Sequence, residues 1–336
     1  MSMAEHYTNH QSQAFSSKSS KQPYFSVVIP VFNKKKEIIR CLESCSSQAF
    51  LNFEVIVIDD GSTDGSGELA RQFQDERVSV WSIENSGQGA ARNYGSSKAN
   101  GRYVAFLDAD DTWASNHLLE LNLLTTRHPF ADAASTMFAY MKDGRVKSTK
   151  LDNLIIDDDV LVNYLEVTAE KTSPIHTNSI CIRKEKFQEL GGFDKSLPLA
   201  QDIDLWIRLY CTSDILYSMK VTSFYHIDSS NMVTKSSDRT VKYLLFIDKL
   251  SIYLADRKYS EYWDRLKTNR NGFLLSLAYT AAVEHDSKAR NHIVLIYPYY
   301  WHFSIEFIYW VSFFRSSSKV MILFLKILRK IKRQIR

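Results

Sequence analysis

The sequence has few cysteines, and none of them lies in a metal-binding pattern. Cys41, Cys45, Cys181 and Cys211 form no CxxC pair and have no histidine cluster nearby. This spacing indicates neither a zinc site nor a disulfide framework. We therefore expect reduced thiols, as in a cytoplasmic protein.

A leader peptide and long uncharged apolar runs are also missing. Residues 1–23 are rich in Ser, Gln, Lys and His without an apolar core, so we expect a disordered lead and no secretory signal. From residue 293 the chain is strongly aromatic, but charges such as Glu306 and Arg315 interrupt it before ~20 uncharged residues are reached. The sequence therefore predicts no membrane-spanning helix.

Charge of one sign dominates only at the C-terminal end. The chain has 42 Lys/Arg and 38 Asp/Glu, and residues 319–336 hold seven of the basic residues and no acid. A nucleic-acid binder would carry its positive charge on a folded face, so that class is disfavoured. On a helical wheel, residues 319–336 place basic and apolar side chains on opposite sides, which favours a helix lying on a membrane surface. Packing of the same apolar side on the protein core is the alternative.

Apolar strands and helices alternate through the first third of the chain. Buried strands are predicted over 26–32, 53–58, 77–83 and 103–107, with helices over 33–47, 67–73 and up to about 99 between them. Four such alternations predict an α/β fold with a mostly parallel sheet flanked by helices. Parallel sheets place their ligands where the strands end.

Three aspartates follow the fourth predicted strand at that point. Asp108 and Asp110 are separated by one residue, so on extended backbone their side chains would leave the same face and converge on one cation. Oxygen ligands suit Mg²⁺ or Mn²⁺, and two carboxylates leave positions free for phosphate oxygens. The alternative is an acidic N-cap for a helix starting at Trp113, with Asp111 as one candidate cap.

Glycines precede the third helix, but they complete no nucleotide-binding fingerprint. Gly87 and Gly89 allow close backbone approach, and Arg92 lies near the start of that helix, where a phosphate is favoured. The third glycine of a dinucleotide fingerprint is missing, and no GxxxxGK[ST] motif occurs. Rossmann and P-loop classes are therefore excluded.

Four ordered motifs carry a family resemblance. They are Ser26-Val-Val-Ile-Pro-Val-Phe-Asn33, Val57-Ile-Asp-Asp-Gly-Ser-Thr-Asp64, Gly87-Gln-Gly-Ala-Ala-Arg-Asn93 and Phe106-Leu-Asp-Ala-Asp-Asp111. Together they resemble the nucleotide-sugar half of the family 2 glycosyltransferases, which have the GT-A fold. The resemblance covers roughly residues 24–230, and it implies a nucleoside-diphosphate-sugar donor.

The resemblance also implies roles for individual residues. Pro30 and Phe32 would border the nucleobase pocket, and Asp59 or Asp60 would bond to the base. Arg92 would face the sugar nucleotide, and Asp108 would approach the ribose or the metal. Asp110 would be the principal ligand of Mn²⁺ or Mg²⁺, which stabilises the diphosphate leaving group.

A second acidic motif, Gln201-Asp202, opens a predicted helix. Leu205, Trp206 and Leu209 have helical spacing, which places Asp202 at the N-terminus. By resemblance this position is the catalytic base, which deprotonates the acceptor hydroxyl for transfer with inversion. The family has Glu before this Asp, so Gln201 is a departure; Gln201→Glu, which restores the pair, is expected to be tolerated. A plain N-cap at Asp202 is the alternative.

Another departure lies at Phe224-Tyr225-His226-Ile227-Asp228. Relatives often have Tyr-Arg-x-His here with the His near the metal, so Asp228 falls in the His position and is a further possible metal ligand. His226 falls in the Arg position or is an ordinary strand histidine. Asp157, Asp158 and Asp159 are interpreted as the solvated start of a helix over 160–165.

These observations predict a domain order and a function. We expect a disordered lead (1–23), a nucleotide-sugar half (24–115), an acceptor half (116–235), a helical cap (236–290) and a membrane-associating tail (291–336). The predicted enzyme is inverting and metal-dependent, and it moves a sugar from a donor, a UDP-sugar by preference, to a saccharide or lipid-linked acceptor on the inner membrane face. A nucleotidyltransferase and a catalytically inactive sugar-nucleotide-binding scaffold are the alternatives.

Overall fold

The computed structural model describes residues 22–148, 151, 154–169, 173–228 and 239–283. The predicted N-terminal lead, except for its last two residues, and the predicted membrane-associating tail lie outside the described residues. No helix in the described part of the chain is both long and apolar enough to cross a bilayer.

The described residues form one mixed sheet with helices on both faces. Its strands are β1 Phe25–Val31, β2 Phe53–Asp59, β3 Val78–Ser82, β4 Tyr103–Phe106, β5 Thr112–Trp113, β6 Ala133–Lys142, β7 Arg145–Ser148, β8 Ile156–Asp157, β9 Val160–Leu161, β10 Ile180–Arg183 and β11 Ile215–His226. The helices are α1 Ile38–Ser46, α2 Ser66–Gln72, α3 Gln88–Lys98, α4 His117–Arg127, α5 Tyr164–Ala169, α6 Lys184–Glu189, α7 Gln201–Tyr210, α8 Arg239–Ala255 and α9 Trp263–Val283. The predicted α/β class is confirmed.

Strand directions bring several strand ends to one edge of the sheet. The strand order is β3-β2-β1-β4-β10-β6-β11-β9-β8, with β5 on β11 and β7 on β6. Strands β1 to β4 pair in parallel. Strand β10 runs antiparallel to both β4 and β6, and β11 is parallel to β6. Strands β1, β2, β4, β6 and β11 therefore end at the same edge, which we name the carboxyl edge.

Two hydrophobic layers enclose the sheet. Val28 and Phe106 pack with α3, α6 and α7 on one face. Ile29 and Leu107 pack with α1, α2 and α4 on the other. All seven residues of β1 are buried, as expected for a strand covered on both faces.

Three predicted helix starts differ in the structure. Helix α1 begins at Ile38 instead of residue 33, because residues 35–37 form a turn. Trp113 lies in the short strand β5, which pairs with β11, so no helix starts there. The acids Asp158 and Asp159 have positive φ values, 43° and 64°, and form the turn between β8 and β9.

Helix α3 packs so closely on β1 that Gly95 has no room for a side chain. A Cβ atom there would lie 2.4 Å from Val28 Cγ1 and 3.1 Å from Ile58 Cγ1. We expect Gly95→Ala to lower the free energy of unfolding by about 1–3 kcal/mol, because overpacking forces neighbours out of their rotamers. Urea denaturation measures the change, and exposed Ser97→Ala on the same helix is the control. A loss below about 0.5 kcal/mol would mean that the Val28 side chain can adopt another rotamer without strain.

Candidate functional site

The three acids after β4 lie in a tight turn at the carboxyl edge. Strand β4 ends at Phe106, and the Asp111 N–H donates to the Asp108 carbonyl at 2.9 Å. The backbone here is not extended, so the alternation that was predicted to join Asp108 and Asp110 on one face does not apply. What brings the acids together is the turn itself.

The first acid, Asp108, is held by the start of α3. Gln88 Nε2 donates to Asp108 Oδ1 at 2.9 Å, and Arg92 Nη2 forms an ion pair with the same oxygen. The Arg92 residue is only 3% exposed, and its guanidinium lies 5.2 Å from the ring centre of Phe193. A charge buried this deeply needs its carboxylate partner, so α3 and the acidic turn form one unit.

The second acid, Asp110, has two cationic neighbours from the segment after β1. Lys34 Nζ donates to Asp110 Oδ2 at 2.7 Å, with side chains 12% and 14% exposed. Arg40 Nη2 donates to the main-chain oxygen of Asp110 at 2.8 Å. Sequence analysis did not single out either cation, because Lys34 and Arg40 lie 76 and 70 residues before Asp110 in the chain.

The third acid, Asp111, fastens the turn to distant strands. Its fully buried carboxylate accepts from Asn178 Nδ2 at 2.7 Å and from the His226 N–H at 2.8 Å. Burial raises the pKa of this carboxyl well above its usual range, and the charges of Asp110 and Asp108 raise it further. Asp111 is therefore a structural anchor and caps no helix.

The two aspartates after β2 also bond to protein groups. Asp60 accepts N–H groups from Ser86 at 2.8 Å and Gly87 at 2.9 Å, which holds the loop before α3. Asp59 Oδ1 accepts the Ser62 N–H at 3.0 Å. Asp59 and Asp60 are buried, at 7% and 3% exposure, so their carboxylates hold the loops that follow β2 and precede α3.

Pro30 and Phe32 lie at the end of β1. Pro30 is buried opposite Ile58, whereas Phe32 is 46% exposed just beyond the strand. Strand β4 pairs with β1 only as far as Val28, so the missing N–H of Pro30 removes no ladder hydrogen bond to β4. The exposed ring of Phe32 offers an apolar surface at the carboxyl edge.

Asp202 follows Gln201, whose side chain reaches the start of α3. Helix α7 begins with Gln201 and Asp202, as predicted. A Cβ atom on Gly89 would lie 2.2 Å from Gln201 Oε1, so the Gln201 side chain reaches the first turn of α3, and a larger residue at position 89 would have to displace that amide. The Gln201 amide nitrogen donates to the Leu197 carbonyl, a bond that a carboxylate at this position could not make.

The nearby Asp204 has a structural role that sequence analysis missed. It is fully buried, pairs with Arg208, and accepts a hydrogen bond from the Tyr253 hydroxyl of α8. The i, i+4 spacing of Asp204 and Arg208 was a signal for this pair. Of the two aspartates in α7, only Asp202 is left for chemistry.

The end of β11 departs from the expected metal position. His226 is buried, and its Nε2 lies 3.0 Å from Thr112 Oγ1. Asp228 is exposed and accepts the Asp143 N–H at 3.1 Å. Among the described residues, no group of three or more His, Cys, Asp or Glu side chains could hold a metal ion. Asp228 as a ligand thus stays a prediction.

Two solved structures share this architecture. The first is S. aureus TarS 1-349 in complex with UDP-GlcNAc, with TM-score 0.58, 20% identity, and coverage of 79% of this chain and 82% of that one. The second is the mannosyltransferase PcManGT from Pyrobaculum calidifontis in complex with GDP-Man and Mn²⁺. Its TM-score is 0.55 at 16% identity, with 87% and 86% of the two chains covered. These likenesses show the GT-A-type fold.

Sequence comparisons agree with the fold. A glycosyltransferase of Haemophilus influenzae, itself uncharacterised, is 33% identical over 213 residues, which are 61% of this chain and 80% of the relative. The chain spans only 34% and 35% of the length of two Rickettsia glycosyltransferases that it also matches. The sequence model for glycosyl transferase family 2 matches residues 26–190. From the ordered motifs, the fold and these relatives, it follows that the chain belongs to glycosyltransferase family 2.

Proposed function

We propose that the chain transfers a sugar, with inversion, from a nucleoside-diphosphate-sugar to a hydroxyl of a saccharide or lipid-linked saccharide. The observation that carries this proposal is the unit formed by Asp108, Arg92 and Gln88 beside Asp110 at the carboxyl edge. It combines acids that suit a cation with a helix N-terminus and a buried arginine that suit phosphate. The donors in the two related structures, UDP-GlcNAc and GDP-Man, support this class of substrate, and we propose a UDP-sugar.

The chemistry of the acidic turn fits a hard divalent cation. Asp108 and Asp110 each use one carboxylate oxygen in the hydrogen bonds described above, and their side chains keep 15% and 14% exposure. Two carboxylates leave coordination positions for diphosphate oxygens. Mn²⁺ or Mg²⁺ bound there would neutralise the charge that develops on the leaving diphosphate.

The remaining steps fall to side chains of the protein. We propose that Asp202 accepts the proton of the acceptor hydroxyl as that oxygen attacks the anomeric carbon. Its carboxylate lies in the first turn of α7, where the helix dipole favours negative charge. Arg92 and Gln88 keep Asp108 in place, and Asp60 fixes the loop in front of α3, so the donor meets a preformed wall.

We propose that the acceptor lies on the cytoplasmic face of a membrane. A basic, apolar segment at 319–336 suits an anionic membrane surface on the cytoplasmic side, where lipid-linked saccharides of surface polysaccharides are built. The residue pattern of this segment supports the membrane partner.

A donor screen tests the proposed function. UDP-, GDP- and dTDP-sugars are titrated into the protein with Mn²⁺ by calorimetry, and the released nucleotide is then analysed by chromatography with saccharide acceptors. We expect one nucleotide to bind and a nucleoside diphosphate to be released. Release of pyrophosphate would identify a nucleotidyltransferase, and binding without any turnover would identify an inactive scaffold.

We expect the native Lys34 side chain to lower the affinity of the protein for a divalent cation when no donor is bound. Its ammonium group lies 2.7 Å from Asp110 Oδ2, so it opposes a second cation at that carboxylate. We expect Lys34→Met to raise Mn²⁺ affinity roughly ten-fold, measured by the paramagnetic resonance signal of free Mn²⁺ without donor. Lys35→Met is the matched control, since that side chain is exposed. Weaker Mn²⁺ binding in Lys34→Met would show that Lys34 mainly positions Asp110.

A further inference from the structure

Four aromatic side chains form a cluster near the acidic turn. The His176 ring lies 4.7 Å from that of Tyr225 and 5.1 Å from that of Phe138, measured between ring centres. Tyr140 lies 5.8 Å from Tyr225 and 5.6 Å from Phe138. Phe138 is 3% exposed, whereas Tyr140, His176 and Tyr225 are half-buried. Three of the four residues are thus partly exposed to solvent, and they pack around the buried Phe138.

The topology places this cluster at the carboxyl edge. Phe138 and Tyr140 lie in the last half of β6, and Tyr225 is the penultimate residue of β11. The acidic turn is tied to β11 and to the segment before β10, because Asp111 accepts hydrogen bonds from the His226 N–H and from the side chain of Asn178. These partners are one residue beyond Tyr225 and two beyond His176. The cluster is therefore fastened to the turn that carries Asp110.

The segment that carries His176 leads into the acidic turn. Ser173 Oγ donates to the Ile175 carbonyl at 2.7 Å, directly before His176. The side chain of Asn178, two residues after His176, donates to Asp111 at 2.7 Å. The backbone around His176 is therefore held in place next to the acidic turn.

We propose that Tyr140, His176 and Tyr225 are the surface on which a sugar ring of the acceptor stacks. This inference rests on the proposed function, since an acceptor must lie between the base and the donor. The C–H bonds on one face of a pyranose carry partial positive charge and meet the negative faces of aromatic rings, while the hydroxyl groups stay at the rim. Half-buried rings with a polar edge, as in tyrosine and histidine, suit such a ligand.

The test measures weak binding of simple glycosides. Methyl glycosides of glucose, galactose, mannose and N-acetylglucosamine are mixed with the full chain and UDP, and saturation-transfer NMR is recorded. Because all four share C–H faces, we expect at least one to give a signal that falls roughly ten-fold in Tyr225→Ala and persists in Tyr225→Phe, which keeps the ring. UDP affinity should be the same in all three proteins.

The control is an exposed aromatic at the opposite edge of the sheet. Phe130 is 94% exposed and lies before the start of β6, so Phe130→Ala should leave the glycoside signal unchanged. No signal from any glycoside, or an unchanged signal in Tyr225→Ala, would overturn the inference. Weaker UDP binding in Tyr225→Ala would also overturn the inference, because the aromatic cluster would then bind the nucleobase of the donor. If none of UDP, GDP and dTDP binds the parent protein, the proposed function fails instead.

Discussion

Replacing Asp110 with asparagine is expected to abolish sugar transfer, a loss of roughly 10³-fold or more if the metal supplies several kcal/mol of leaving-group stabilisation. The amide keeps the shape of the side chain but cannot neutralise a divalent cation. The Asp110 main-chain oxygen still accepts from Arg40, so the turn should stay folded. Transfer is measured by release of nucleoside diphosphate, and nucleotide binding by calorimetry with and without Mn²⁺.

Two comparisons make the Asp110 result decisive. Asp143→Asn changes an exposed acid at the same carboxyl edge, in a left-handed position that asparagine tolerates, and should leave transfer intact. In the parent protein, excess EDTA should weaken nucleotide binding as Asp110→Asn does. Nucleotide binding that is indifferent to EDTA would remove the metal from the mechanism.

Asp202→Asn is expected to reduce transfer by about 10²–10⁴-fold, the usual contribution of a general base. Donor affinity should hardly change, because the base acts on the acceptor hydroxyl in the transition state. The helix should persist, since the Asp204 network that ties α7 to α8 is untouched. Initial rates at saturating donor, with calorimetric donor binding alongside, separate the two effects.

The matched control for Asp202 is Asp264→Asn. Asp264 is an exposed acid in the first turn of α9, so its replacement also removes a carboxylate from a helix N-terminus. It should not affect the rate. Near-normal transfer by Asp202→Asn would show that Asp202 is only a charge at the helix N-terminus and that another group is the catalytic base.

The sequence predicted the parts of the site that depend on local pattern. Apolar runs located β1, β2 and β4, and the acids after β4 marked the carboxyl edge. Asp202 at the start of α7 followed from helical spacing. In each case the signal and the structure it predicts lie within about a dozen residues of each other.

Features set by distant partners could not be read in this way. Asp111 was equally consistent with a cap until its partners were seen, and Asn178 and His226 lie 67 and 115 residues further along the chain. The acids at 157–159 resembled a helix start, yet left-handed backbone at Asp158 and Asp159 makes them a strand turn. From the sequence, Gln201→Glu is expected to be tolerated. In the structure this substitution removes the hydrogen bond from the Gln201 amide to the Leu197 carbonyl.

The position of β10 limits how the acceptor half of this enzyme could be replaced by that of a relative. This strand belongs to the later half of the chain, yet it lies between β4 and β6 and covers the edge of β4. A chimera joined at residue 115 would inherit β4 from one parent and its covering strand from another, together with unmatched partners for Asp111. With β6 and β11 as the proposed acceptor surface, we expect new acceptors to be more accessible through point changes on these strands than through recombination of halves.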